Sequence, residues 1–147
     1  FKLTSQPDWN GNNYGGTATT ISTSGGNLSV AAGGYYLVRA NTKNSTWSNY
    51  LVTGVGIVGG FTGWGGNPDV TLTYDSGNKV WKTTFTLGSD SELKFRFNSS
   101  WDVNLGDSGG DGVLEFNGDN LSFKAGTYDV VLNLSNGGYY TYSFTRK

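Results

Sequence analysis

Leu93, Phe95 and Phe97 alternate with Lys94, Arg96 and Asn98. A period of two over such a run predicts a half-buried strand with one apolar face and one face carrying two cations and an amide. The same alternation recurs along the chain. Val70, Leu72 and Tyr74 alternate with Thr71 and Thr73, and Trp81, Thr83, Phe85 and Leu87 share one side of the next run. Asp75-Ser76-Gly77-Asn78 between them reads as a hairpin turn. Tyr128, Val130 and Leu132, then Tyr140, Tyr142 and Phe144, predict two further strands. Val55-Gly56-Ile57-Val58 is short and apolar throughout, as a fully buried strand would be. Val113 to Phe116 and Leu121 to Phe123 flank an Asn117-Gly118 turn. No stretch has helical spacing. Short strands with frequent turns predict an all-β fold, an immunoglobulin-like antiparallel β-sandwich.

The pattern also repeats. FKLTSQPDWNGNNYGG at the start corresponds to LKFRFNSSWDVNLGD, placing Lys2 on Lys94, Trp9 on Trp101 and Asn13-Tyr14-Gly15 on Asn104-Leu105-Gly106. GGNLSVAAGGYYLV, from Gly25, corresponds to GDNLSFKAGTYDVV, from Gly118. The second copy has an upstream half that the first lacks. The expected organisation is a C-terminal half-module over residues 1–47 and a complete module over 48–147. A half-module exposes apolar faces and strand edges. Missing N-terminal domains, or strand exchange with another copy, would complete it.

Composition narrows the chemistry. Twenty-four glycines among many Asn, Ser and Thr fit a turn-rich β-protein. The net charge of -1 provides no basic stripe for phosphates, so no nucleic-acid partner is expected. The chain has neither cysteine nor histidine, which removes thiolate metal sites and the commonest general base. No apolar segment approaches the roughly 20 residues that span a bilayer. Aromatics make up 15% of the chain and charged residues 14%, a balance suited to neutral sugars, whose C–H faces stack on flat rings and whose hydroxyls bond to amides and charges.

Trp101 lies in a polar loop, NSSWDVN, with Trp9 as its counterpart in the first copy. It reads as a stacking platform, the alternative being a lid folded onto the sandwich. Trp64, flanked by glycines in GGFTGWGG, reads as a second platform or as a plug closing the sandwich end. Trp81 belongs to the core alternation. Trp47 falls between the copies and is expected to pack between modules. Lys94 and Arg96 lead into Trp101 and supply donors for vicinal hydroxyls, or form a solvated strand face. Asn98, Asp102 and Asn104 either complete the polar part of the site or bond their own turns. Asp102, Asp107 and Asp111 raise calcium, but their spacing fits no established calcium loop, so turn formation is the expectation and no metal or cofactor is implied. A glycoside hydrolase needs two carboxylates flanking a cleft. Glu92 and Glu115, the only glutamates, sit in or beside strand alternations, and nothing marks a pair.

The run VGIVGGFTGWGGNPDVTLTYDSGNKVWKTTFTL, then LKFRFN, WDVNLG and NGDNLSFKAGTYDVVLNL, resembles the repeated modules of the SusE/SusF family, starch-binding surface lipoproteins of the outer membrane. The resemblance implies no catalysis. It implies α-glucan (starch or maltooligosaccharide) held at the cell surface within an outer-membrane glycan-uptake complex, by aromatic platforms with nearby basic and amide groups. Trp101, Lys94, Arg96 and Trp64 fall in the matching motifs. The first copy keeps Trp9 and Lys2 but has Thr4 in place of the arginine and lacks the GFTGW segment. Three other readings remain open: a structural spacer, binding of a non-starch glycan, and a small glycoside hydrolase or an accessory piece of one.

Overall fold

The computed structural model describes residues 1–147. The chain divides into two compact units, Phe1–Val52 and Thr53–Lys147. The division falls later than the 47/48 boundary expected from the repeat, because a strand runs across that point.

In the first unit, β1 (Leu3–Thr4), β2 (Asn13–Gly16) and β3 (Ile21–Ser22) form a three-stranded antiparallel sheet. β4 (Tyr35–Asn41) and β5 (Thr46–Val52) form a hairpin, and a bridge between Thr20 and Thr46 links hairpin to sheet. Ile21, Leu28 and Trp47 make the small core, with Leu3 and Tyr14 packed against it. This corrects the expectation for Trp47. It lies in β5, only 5% exposed, and its Nε1 donates to the Thr17 carbonyl at 2.8 Å. Its neighbours in sequence are polar, so the apolar surface it fills comes from residues far along the chain.

The second unit holds β6 (Val55–Gly59), a 3-10 turn (Gly60–Gly65), β7 (Val70–Asp75), β8 (Val80–Leu87) and β9 (Ser91–Phe97). β10 (Asn104–Gly106), β11 (Val113–Phe116), β12 (Leu121–Phe123), β13 (Gly126–Asn133) and β14 (Tyr140–Arg146) follow. The fold is all-β and antiparallel, of sandwich-like class. One face is built on β9, flanked by β6 on one side and by β10 and β12 on the other. The opposite face holds β8, β13 and β14.

The two faces are not separate sheets. β7 pairs with β6 through Val70–Leu72 and with β8 through Thr73–Asp75. β11 pairs with β14 through Val113 and Leu114 and with β10 through Glu115 and Phe116. Each therefore turns a corner, and the ladder closes into a ring of eight strands. Closure satisfies the backbone groups that open sheet edges would leave to solvent. The inward residues follow the predicted alternation: Leu93, Phe95 and Phe97 from β9, Leu72 from β7, Leu87 from β8 and Leu132 from β13 are almost wholly buried.

The repeat is visible in the pairing itself. Leu3 opposite Tyr14 and Thr4 opposite Asn13 are matched by Phe95 opposite Leu105 and Arg96 opposite Asn104. The chain then crosses itself at glycine in both units: Gly16 N–H donates to the Gly26 carbonyl at 2.8 Å, and Asp107 N–H to the Asp119 carbonyl at 3.0 Å. A Cβ at Gly15 or Gly106 would overlap the crossing carbonyl.

Asp107 and Asp111 serve turns. The Asp107 carboxylate accepts from the N–H groups of Gly109, Asp111 and Gly112 and from the Tyr142 hydroxyl at 2.9 Å. Burial works to raise its pKa, but these donors outweigh burial and hold the carboxyl below its ordinary value. Burial, with the Asp107 charge, pushes the Tyr142 phenol up to about 12.

Candidate functional site

β9 turns Phe95 and Phe97 inward, so Lys94 and Arg96 point to the outer face of the barrel, roughly 7 Å apart along the strand. One rung of that face runs across four strands, from Asn104 through Arg96 and Gly56 to Thr71. Its chemistry is set largely by what Gly56 leaves empty. A Cβ at Gly56 would lie 2.6 Å from the Asp69 Cβ, so the missing side chain lets Asp69 lean across β6 toward Arg96. The contact is a two-pronged ion pair: Nε to Oδ2 and Nη2 to Oδ1, both 2.7 Å. The Arg96 and Asp69 side chains are only 6% and 4% exposed. Arg96 is thus buried and neutralised, whereas the sequence suggested a donor for ligand hydroxyls or a solvated face.

The guanidinium instead supports the loops above it. Its Cζ lies 5.0 Å from the Trp101 ring centroid, a cation–π contact. Gly65, at φ +108°, passes close enough that a Cβ would sit 3.0 Å from both terminal nitrogens.

Gly65 ends the 3-10 turn that carries Trp64. Inside that turn the Thr62 hydroxyl accepts from Gly59 N–H and donates to the Gly59 carbonyl, both at 3.0 Å. Gly63 and Trp64 take left-handed backbone angles, φ 58° and 54°. That conformation costs a residue with a Cβ about 1–3 kcal/mol. It brings the Trp64 ring beside Trp101, with centroids 6.3 Å apart and planes tilted by 36°. Trp64 is half-buried and Trp101 is 44% exposed.

The Trp101 loop is held from both ends. Ser100 N–H donates to the Phe97 carbonyl and Phe97 N–H to the Val103 carbonyl, each at 3.0 Å. Asn104, buried at the head of β10, donates its amide to the Trp101 carbonyl at 3.3 Å and to Asn117 Oδ1 at 2.9 Å. Its own Oδ1 is buried without a partner. In the first unit Asn13 does the same for Trp9, donating to the Trp9 and Gly11 carbonyls at 3.0 Å, and again its Oδ1 is buried and unpartnered. Asn104 is therefore a holder of the tryptophan loop.

The remaining predicted residues divide. Lys94 is half-buried and makes no ion pair or hydrogen bond in the chain. Burial lowers its pKa, and the Asp119 charge opposes that. Asp102 is exposed next to Trp101, with its N–H on the Ser100 hydroxyl. Asn98 does not join the tryptophans. Its Oδ1 accepts from Thr53 N–H, the Thr53 hydroxyl and Gly54 N–H at 2.7, 3.0 and 3.2 Å. Trp9, in the other unit, is 69% exposed with no ring beside it. The two glutamates are engaged separately: Glu92 accepts from Asn120, and Glu115 from Ser108 N–H.

Sequence reasoning missed Asp69. Its only local signal is its place before a strand, in NPDV; its partner lies 27 residues on. A hollow of about 480 Å³ in the first unit, lined in part by Gly16, Asn27, Leu28 and Trp47, has no exposed tryptophan, since Trp47 is committed to the core. No family model matches the chain, and a search of characterised proteins returns no match.

Proposed function

We propose that the chain binds polysaccharide without cleaving it, as a carbohydrate-binding module of the immunoglobulin-like kind. The observation that carries this reading is the Trp64–Trp101 pair, two indoles tilted by 36° on a braced surface, one of them nearly half exposed. An exposed tryptophan held by a cation–π contact and a dedicated amide is a preorganised apolar plate, and stacking a sugar C–H face on it is worth about 1 kcal/mol. Lys94, uncommitted within the chain, supplies donors for hydroxyls beside it.

The favoured ligand is α-glucan. A tilt between the rings suits the curved run of glucose faces along a starch helix. The resemblance to SusE/SusF modules points the same way, and with it to the outer-membrane surface and a glycan-uptake complex. One shallow platform binds weakly, so strength on a polymer comes from several modules acting together.

Native gels containing amylopectin, xylan, levan or no glycan test the reading. The wild-type chain is expected to be retarded by amylopectin alone, and Trp101→Ala, folded by circular dichroism, to run as in the glycan-free gel. Retardation by xylan or levan only would remove α-glucan and keep the platform. No retardation in any gel would remove the binding role and leave that of a spacer.

A further inference from the structure

Beyond Arg96 the same rung continues over Gly56 to Thr71, and there the surface opens into a groove of about 260 Å³. Gly54 and Gly56 line it with Asp69, Thr71, Asn98 and Ser99. Strands in a sheet lie roughly 4.8 Å apart, so Gly56, buried under the Asp69 side chain, lies one strand spacing from the arginine beneath Trp101, a step comparable with one pyranose ring. No aromatic residue lines the groove, and its chemistry is hydroxyl and carboxylate. Thr71 and Ser99 are exposed, and neither side-chain hydroxyl is bonded within the chain. Asp69, bonded through both oxygens to Arg96 and only 4% exposed at its side chain, forms the floor beneath them.

The groove is also rigid before any ligand arrives. Asn98 and Ser99 both take left-handed angles, φ 54° and 52°. The three bonds accepted by Asn98 tie this wall to Thr53 and Gly54 opposite. A preformed polar hollow one ring away from an aromatic plate has the form of an adjoining sugar subsite.

We infer that this groove holds the sugar unit next to the one stacked on Trp101, with the Thr71 and Ser99 hydroxyls bonding its own. The inference rests on the glycan-binding reading of the tryptophan pair and gives that site a minimum length of two sugar units. The platform takes ring faces, and the groove takes hydroxyl positions.

Titration calorimetry of the full chain with glucose, maltotriose and maltohexaose tests it, using wild type, Trp101→Ala and the double variant Thr71→Val/Ser99→Gly. The double variant deletes both hydroxyls on exposed positions, and glycine accepts the left-handed angle at residue 99. Wild type is expected to bind maltotriose well over tenfold more tightly than glucose. The double variant is expected to bind maltotriose about five- to tenfold more weakly than wild type, the worth of one or two hydrogen bonds. Trp101→Ala is expected to bind none of them. If the double variant matches wild type on every sugar while Trp101→Ala binds nothing, the groove inference falls and the platform reading stands. If wild type binds none of these sugars, both fall for α-glucan.

Discussion

Arg96 carries a charge that barely reaches solvent. Buried ion pairs do not always stabilise relative to apolar replacements, but removing one partner leaves an uncompensated charge and costs about 3–5 kcal/mol. Asp69→Ala is therefore expected to lower unfolding free energy in urea by about that amount. Replacing both partners, as Asp69→Leu with Arg96→Met, should recover much of the loss. The double variant should still bind glycan poorly, because the cation beneath Trp101 is gone. Stability recovered without binding would identify the pair as a support for the platform. At this scale the sequence carried part of the answer. A tryptophan among Asn, Ser and Asp pointed to exposure, and Trp101 is exposed. The fate of Arg96 was not legible. Its partner Asp69 meets it only because β6 lies between β7 and β9 and presents a glycine there.

The strands themselves follow the alternation closely, and β7, β8, β9, β13 and β14 lie where a period of two put them. The pairing of short strands does not follow from order. β11 and β12 flank a turn and read as neighbours, yet β11 pairs with β10 and β14 while β12 pairs with β9. The crossing at Gly106 makes this possible, since the chain between β11 and β12 passes directly against β10. Gly106→Ala is expected to destabilise the protein by about 1–3 kcal/mol in denaturant unfolding, because the obstacle is backbone, which cannot rotate aside. Gly54→Ala is the control. A Cβ there meets nothing within 4 Å, so its effect should stay within about 0.5 kcal/mol.

Across the whole molecule, the two units have unequal means of holding together. The second closes eight strands around a core of large apolar side chains, with β9 paired on both sides along its length. The first packs Ile21, Leu28 and Trp47 with only a small three-stranded sheet and a single hairpin around them. Local stability tracks buried contact and paired backbone. Amide hydrogen exchange followed by mass spectrometry is expected to show peptides from β9 and β13 exchanging last and peptides from Phe1–Val52 exchanging first. Equal protection in both units would mean that the small core is stabilised by something beyond its own strands.

The sequence by itself determined which residues face inward along β8, β9 and β13, that a set of motifs occurs twice, and where tryptophans stand in polar loops. These are local properties, written in a period of two and in turn residues. Tertiary structure decided the closure of two faces into a ring, the burial of Trp47 in β5, and the pairing of Arg96 with Asp69. It also opened the groove over Gly56. Each of these depends on register between strands distant in sequence, and a shift of one residue would turn every side chain of a strand to the other face. Packing of the whole core selects that register, and no single segment contains it.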